Sequence, residues 1–183
     1  MDAIQTLLER NSRAQLAGAV SAIQLELLLK AALRAADHGW LHPTRFITVQ
    51  GKAREQLGKT FLESSEDWQN LSVEKQNKLL HAPLRAPLLI VVINQPQEHP
   101  KIPKLEQLLS SAASAQNILN AAAALGLGAI WRTGDVAHNP NVAKALGLAQ
   151  NEQIVGFVYV GEPQGEPKPL PEFSISDFVQ ELA

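Results

Sequence analysis

The chain has 183 residues, 45% of them hydrophobic and 19% charged, and this balance indicates a globular protein rather than a disordered one. Its 16 basic and 18 acidic residues give a formal net charge of −2, which argues against nucleic-acid binding through a broad basic surface. The absence of cysteine excludes disulfides, thiolate metal sites and cysteine nucleophiles, so any redox chemistry must belong to a bound cofactor.

The first residues predict a short helix rather than a targeting signal. Asp2 is a suitable N-cap, and Ile4 and Leu7 lie on one apolar stripe over residues 2–10. No basic segment precedes an apolar core there, and no run approaches the roughly 18 apolar residues that span a bilayer. We therefore expect one cytoplasmic domain over residues 1–183.

A second helix and a first strand follow. Ser21 and Gln24 have the spacing of a capping box, which opens a helix predicted over residues 22–36. Residues 45–49 are rich in side chains that favour strands. Residues 52–80 are polar and prone to form helices, and they predict surface helices or a lid.

The middle of the chain contains the clearest strand and the longest helix. The continuous apolar run 88–93 predicts a central strand, and the proline-rich segment 95–103 predicts a loop. Residues 104–125 have a helical pattern with Leu105 and Leu109 on its apolar face. The small residues at the centre of this helix favour either close packing within the monomer or a position at the centre of a dimer.

The last third predicts two more strands and an arm. Residues 129–131 and 154–160 have strand character, and Asn139 before a proline is a good helix start. The four prolines of residues 162–172 predict an extended arm, followed by a short helix or tail. Because strands and helices do not alternate regularly, we expect an α+β fold with a mixed or antiparallel sheet between helices.

The segment Gly126-Leu127-Gly128 contains the spacing of a dinucleotide-binding loop, but in the opposite structural order. A dinucleotide loop runs from a strand through glycines to the N-terminus of a helix. Here a helix precedes the glycines and a strand follows them. The glycines therefore favour a helix C-cap and a tight turn.

His38 and His42 have the four-residue spacing of metal ligands on a helix. Gly39 and Pro43 disfavour a continuous helix at this place. A polar loop is the favoured interpretation, and a metal-dependent hydrolase stays open as an alternative.

Two short motifs are candidates for ligand binding. The run Arg10-Asn11-Ser12-Arg13 could hold a phosphate, or its arginines could simply complement the dipole at a helix C-terminus. The run Trp131-Arg132-Thr133-Gly134 could place a flat aromatic ligand against the backbone beside a positive charge. Its alternative is a buried core tryptophan followed by a surface arginine.

The ordered set of motifs resembles the nitroreductase family of FMN-dependent oxidoreductases, and most closely its compact NAD(P)H nitroreductase branch. The matching blocks are the opening helix with Arg10-Asn11-Ser12, the segment Arg34-Ala35-Ala36-Asp37-His38, the strand entry Arg85-Ala86-Pro87-Leu88, and the runs 126–134 and 154–161. The likeness extends over nearly the whole chain.

The resemblance implies a homodimer with two FMN sites at the subunit interface. The implied cofactor-binding residues are Arg10, Asn11, Ser12, Ala35, His38, Gly39, Trp131, Arg132, Thr133 and Gly134. The first three would meet the ribityl phosphate, and the next three would approach the flavin from the other subunit. The last four would line the isoalloxazine ring, with a backbone N–H near Thr133 or Gly134 reaching N5.

The implied chemistry is hydride transfer from NADH or NADPH through FMN to a nitroaromatic, a quinone or a related electrophile. The flavin performs the difficult step, and the protein supplies position and electrostatics. No protein acid or base is required, and we assign no catalytic side chain and no metal.

The chain departs from the family pattern at Asn11 and Gln15, where the family has arginines, and at Ala36 and Thr44. A hydrogen bond to a charged group contributes about 1.5–3 kcal/mol. Losing one arginine would therefore weaken FMN binding by about 10–100-fold, unless Arg13 compensates. The alternative is a non-catalytic protein of the same fold that binds flavin or another nucleotide in a degenerate site.

Overall fold

The computed structural model describes residues 2–182, and within them five strands form an antiparallel sheet. The strands are β1 (Leu16–Ala17), β2 (Thr44–Gln50), β3 (Leu88–Asn94), β4 (Gly128–Arg132) and β5 (Gln153–Pro163). Their order is β1-β5-β3-β2, and β4 also pairs with β5. Every pairing is antiparallel, which confirms the predicted α+β class and selects the antiparallel alternative.

Seven α-helices accompany the sheet within the described residues. They are α1 (Ala3–Glu9), α2 (Ala22–Ala32), α3 (Ala53–Glu63), α4 (Val73–His81), α5 (Lys104–Ala124), α6 (Asp135–His138) and α7 (Pro140–Ala145). The predicted capping box of α2 is confirmed: the Ser21 hydroxyl accepts from the Gln24 backbone N–H at 3.2 Å. No helix in this part of the chain is both long enough and apolar enough to cross a membrane.

Strand β3 separates two hydrophobic clusters, one on each face of the sheet. Leu88, Ile90 and Val92 point into a cluster that includes residues of α2 and α5. The alternate residues point into a second cluster, which includes Phe61 of α3 and Phe157 of β5. All seven residues of β3 are buried, as the continuous apolar run predicted.

Helix α5 buries only part of the apolar face that was predicted for it. Leu119 and Ala122 are buried, whereas Leu105 and Leu109 are 64% and 59% exposed in the single chain. The buried face also carries Gln107 and Ser111, and the side-chain amide of Asn94 donates to the Ser111 hydroxyl at 2.9 Å. Ser111, Ser114 and Ala115 are buried within the single chain, which supports packing inside the monomer, and the position at a dimer centre stays a prediction.

A bidentate ion pair fastens β2 to the turn before β5. The Arg45 guanidinium donates to both carboxylate oxygens of Glu152, each at 2.6 Å, and the Glu152 side chain is only 9% exposed. Glu152 also accepts from the backbone N–H of Ala149 at 2.8 Å. The hydrogen bonds from Arg45 hold the pKa of Glu152 below its ordinary value, against the opposing effect of burial.

The C-terminal arm begins as part of the sheet. Leu16 and Ala17 pair with Pro163 and Glu162, so β5 is longer than predicted and β1 adds a strand that the sequence did not predict. Beyond this pairing the chain continues without regular structure to a single 3-10 turn at Ile175–Asp177. The predicted extended arm is confirmed.

Candidate functional site

The motif that follows α1 lies against β4. The backbone N–H of Arg13 donates to the carbonyl of Ala129 at 3.0 Å. A Cβ atom at Gly128 would lie 2.7 Å from a Leu16 methyl carbon and 3.1 Å from the Arg13 Cβ. The second glycine, Gly128, therefore allows close approach between the motif and the strand. Gly126 lies just after α5 with a φ of 72°, and its N–H donates to the Ala123 carbonyl, which confirms the predicted C-cap and turn.

Two side chains of this motif donate hydrogen bonds to the C-terminal arm. Arg13 donates to the carbonyl of Gln164 at 3.2 Å and also to that of Gly165. The Asn11 side-chain amide donates to the carbonyl of Lys168 at 2.9 Å. The Nη2 atom of Arg13 is therefore engaged by the arm in this structure.

Arg10 and Ser12 are the members of the motif that stay available. Among the described residues, the buried Arg10 Nη1 has no hydrogen-bond partner, and neither has the buried Asn11 Oδ1. Arg10 borders an open cleft of about 250 Å³ next to Gly126, and Ser12 is exposed. A buried donor without a partner is unfavourable unless a ligand or water satisfies it, so Arg10 is prepared to bind an anion.

Trp131 is fixed by an irregularity in the sheet. The register between β3 and β5 shifts at Val155, and the Trp131 indole N–H donates to the Val155 carbonyl at 3.3 Å. A Cβ atom at Gly156 would overlap the indole ring. The bulge and the glycine together make room for the ring, which packs against the cluster of α2 and α5.

The side chain of Arg132 lies at a second cleft, at the end of β4. Its guanidinium carbon is 5.6 Å from the centre of the Tyr159 ring, and its Nε is buried with no hydrogen-bond partner within residues 2–182. Burial raises the pKa of the Tyr159 phenol, against the positive charges of Arg132 and Arg85. Trp131 therefore packs against the core on one side and also borders this second cleft, while Arg132 offers it a buried donor.

This second cleft encloses about 530 Å³ and gathers residues from distant segments of the chain. Thr133 and Gly134 border it together with Trp131 and Arg132, so the whole predicted 131–134 motif lines one cleft. Lys75 and Lys78 of α4 and Arg85 also line it, and the sequence interpretation missed all three. The available signal was the spacing of Lys75 and Lys78, which places both on one side of a helix.

The predicted residues Ala35, His38 and Gly39 lie elsewhere, near the start of α5. Ala35 borders a small pocket beside Asp37, and His38 pairs with Glu106 of α5. Gly39 has a φ of 73°, and a Cβ atom there would overlap Ile102. This loop is therefore built around a glycine, and it lies at a pocket different from the two that contain the other predicted residues.

The two histidines of this loop each have a carboxylate partner. His38 pairs with Glu106, and the ring of His42 lies 3.6 Å from the Asp37 carboxylate. Asp37 also accepts from the backbone N–H of His42 at 2.7 Å. Within the described part of the chain, no three or more His, Cys, Asp or Glu residues are grouped to hold a metal ion.

A family model, curated relatives and solved structures were compared with the chain. The model of the Nitroreductase family matches residues 12–162. The Escherichia coli protein named "Putative NAD(P)H nitroreductase YdjA" is 36% identical over 165 residues, which cover 90% of each chain. A solved nitroreductase-like family protein from Bacillus cereus is 24% identical with a TM-score of 0.88, over 100% of this chain and 96% of that one. A nitroreductase with bound FMN from Bacteroides fragilis is 18% identical with a TM-score of 0.74, over 100% of both chains.

Proposed function

The chain belongs to the nitroreductase family, and from this premise we propose that it is an FMN-dependent NAD(P)H oxidoreductase. Its reaction passes hydride from NADH or NADPH through FMN to a nitroaromatic, a quinone or a related electrophile. The name of the Escherichia coli relative supports the hydride donor, and the FMN of the Bacteroides fragilis protein supports the cofactor.

One observation carries the proposal: two buried arginine donors without partners lie at the two ends of β4. Arg10 Nη1 belongs to the motif that contacts Ala129, and Arg132 Nε lies at the other end of the same strand. Donors of this kind fit a long ligand with an anionic group at one end and a polar ring at the other. FMN has this form, and when bound it supplies the chemistry that accepts and returns hydride.

The side chains of the motif have distinct tasks in this proposal. Arg10 binds the phosphate through a charge-assisted hydrogen bond, and the exposed Ser12 hydroxyl donates a second one. The NH₂ group of Asn11 donates to the Lys168 carbonyl, and its Oδ1 has no partner among residues 2–182. We assign this oxygen the role of accepting a hydrogen bond from a ribityl hydroxyl. The motif therefore holds the phosphate with one free arginine.

The end of β4 orients the ring. Trp131 is held by its bond to Val155, and the backbone after it is positioned by the pairing of Arg132 with Phe157. A backbone N–H of Thr133 or Gly134 is the donor that we assign to N5. Fixed backbone donors stabilise developing charge without a protein acid or base.

We also propose a homodimer in which Ala35, His38 and Gly39 reach the flavin of the other subunit. Large apolar side chains are exposed on three helices of the single chain, among them Leu8 at 72% and Ile23 at 72%. Extended apolar surface of this kind is typical of a subunit interface. The separate position of the loop with Ala35 agrees with a contribution to a second site.

The experiment is to purify the protein, record its visible spectrum, and add NADPH or NADH without air. We expect a yellow protein with an oxidised-flavin spectrum that bleaches with the donor and returns when a nitroaromatic or quinone is added. Analytical ultracentrifugation tests the dimer in the same sample. A colourless protein that FMN does not restore would contradict the proposal.

A second candidate is a non-catalytic flavin- or nucleotide-binding protein, and one observation favours it. The engagement of both Asn11 and Arg13 by the arm leaves a weaker phosphate site than two free arginines would provide. The same experiment separates the two candidates. Flavin that binds but resists reduction by both NADH and NADPH would select the non-catalytic protein.

A further inference from the structure

The cleft at the end of β4, hereafter the cationic cleft, has an excess of positive charge. Lys75, Lys78, Arg85 and Arg132 line it, and Asp135 is the one acidic residue among its described lining residues. Within residues 2–182, none of the four cations lies within ion-pair distance of a carboxylate. This concentration is notable in a chain whose net charge is −2.

The rest of the lining is apolar and aromatic. Phe61, Leu79, Ile130 and Phe157 contribute to the wall, beside the ring of Tyr159. A volume of about 530 Å³ is in the range of small-molecule sites. Aromatic walls with a few convergent polar groups select flat ligands that carry a polar or charged substituent.

The phosphate of the cofactor does not account for these four cations. The phosphate motif contacts β4 at Ala129, and Arg132 lies three residues further along the strand. Three residues of a strand cover about 10 Å. An anion bound at Arg10 therefore leaves the charges of the cationic cleft without a partner.

We propose that the cationic cleft binds the anionic group of a flat aromatic electron acceptor. The proposal rests on the proposed function, because the cleft borders the predicted ring-binding residues Thr133 and Gly134. The protein then prefers nitroaromatic or quinone acceptors with a carboxylate or sulfonate over neutral acceptors of the same shape. Lys75, Lys78 and Arg85 supply long-range and direct attraction, while the buried Arg132 Nε stays with the flavin ring.

The first test compares two probes of nearly the same shape, 4-nitrobenzoate and 4-nitrobenzamide. Calorimetry on the FMN-loaded protein at low salt measures the Kd of each, independently of turnover. We expect the anion to bind more tightly, by about 3–10-fold for two exposed charge contacts. The preference is expected to fall at high salt, because salt screens exposed charges.

The matched variants separate local charge from total charge. In the double variant Lys75→Gln, Lys78→Gln we expect the ratio of the two Kd values to fall towards one. The double variant Lys59→Gln, Lys101→Gln removes the same total charge from positions that do not line the cleft. It is expected to keep the preference of the wild type, and a loss of preference there would overturn the assignment.

The hydride donor is the second possible source of an anionic group, because NADPH carries a phosphate that NADH lacks. The same variants are therefore titrated with NADPH and NADH. A change confined to the ratio of the two donors would assign the cleft to the donor and overturn the acceptor proposal. A change confined to 4-nitrobenzoate would support it.

Failure of this inference is distinguishable from failure of the proposed function. Equal Kd values for the two probes in the wild type would overturn the inference, even where the protein is yellow and bleaches with NADPH. A protein that bleaches with neither donor would contradict the proposed function. In that case the ratio of probe affinities still decides whether the cleft selects an anion.

Discussion

Two groups of basic residues lie beside the same strand, β4, and the fold uses them differently. In the phosphate motif, Arg13 donates to the carbonyls of Gln164 and Gly165, so its charge holds the arm. In the cationic cleft, Lys75 and Arg132 form no ion pair with any described residue. Proximity to a recognised motif is therefore a weaker guide to ligand binding than the absence of an internal partner.

The largest loss of folding stability is expected at the ion pair of Arg45 with the nearly buried Glu152. Glu152→Gln replaces two hydrogen bonds to a carboxylate by weaker ones to an amide. We expect the free energy of unfolding to fall by about 1.5–3 kcal/mol at pH 7, measured by urea denaturation. Glu63→Gln, at a residue with no ion pair in the described chain, is the control and is expected to stay within about 0.5 kcal/mol.

The pH dependence of this difference has a defined sign. The folded pKa of Glu152 lies below its ordinary value of 4.5, so the carboxylate stabilises the fold above that value. The stabilisation is lost as the pH falls through the lowered folded pKa. The gap between wild type and Glu152→Gln should therefore shrink in acid, and a gap that widens would contradict the assigned pair.

The next effect compares two arginines three residues apart in the phosphate motif. Arg10→Met is expected to weaken FMN binding by about 10–100-fold, because it removes a free charge-assisted hydrogen bond. Arg13→Met is expected to change FMN affinity by less than about threefold, because Arg13 is engaged by the arm. Quenching of flavin fluorescence measures both, and equal losses would break the distinction between engaged and free cations.

A smaller change, in this case a gain in FMN affinity, is expected from adding a cation to the phosphate motif. Asn11→Arg places a second free guanidinium at the phosphate and should tighten FMN binding by about tenfold. It also removes the bond between Asn11 and Lys168, so limited proteolysis of the arm should become faster. An unchanged affinity for FMN together with a loosened arm would show that position 11 does not face the phosphate.

The smallest change in folding stability is expected from removing the lysines of the cationic cleft. Lys75→Gln with Lys78→Gln should change the free energy of unfolding by no more than about 0.5 kcal/mol, because these exposed lysines have no ion-pair partner to lose. Urea denaturation beside Glu152→Gln gives the comparison directly. A loss as large as that of Glu152→Gln would mean that the lysines serve the fold.

The sequence predicted the elements whose signals are local. The capping box at Ser21, the apolar run of β3 and the proline-rich arm depend on neighbouring residues, and the structure confirms each. Strand β1 was missed because a strand of two residues has no periodic pattern and exists only through its pairing with β5. The polar residues on the buried face of α5 were missed because the hydrogen-bond partner of the buried Ser111 hydroxyl is the distant Asn94.

In the candidate site, too, local motifs were predicted and contacts between distant residues were not. A sequence motif indicated Arg10 and Arg132, but it could not show that Arg13 is bound to carbonyls about 150 residues further along the chain. The cationic cleft combines α4, the entry to β3 and the end of β4, so its charge is visible only once the chain is folded. Local patterns predict candidate residues, and the fold decides which of them are free.

The most direct test of the central claim compares FMN with riboflavin, which has the same ring but lacks the phosphate. Fluorescence quenching gives the Kd of each for the wild-type protein under the same conditions. If the free Arg10 holds the phosphate, FMN binds at least about tenfold more tightly than riboflavin. Equal affinities would contradict the assignment of the phosphate motif and, with it, the proposed orientation of the flavin along β4.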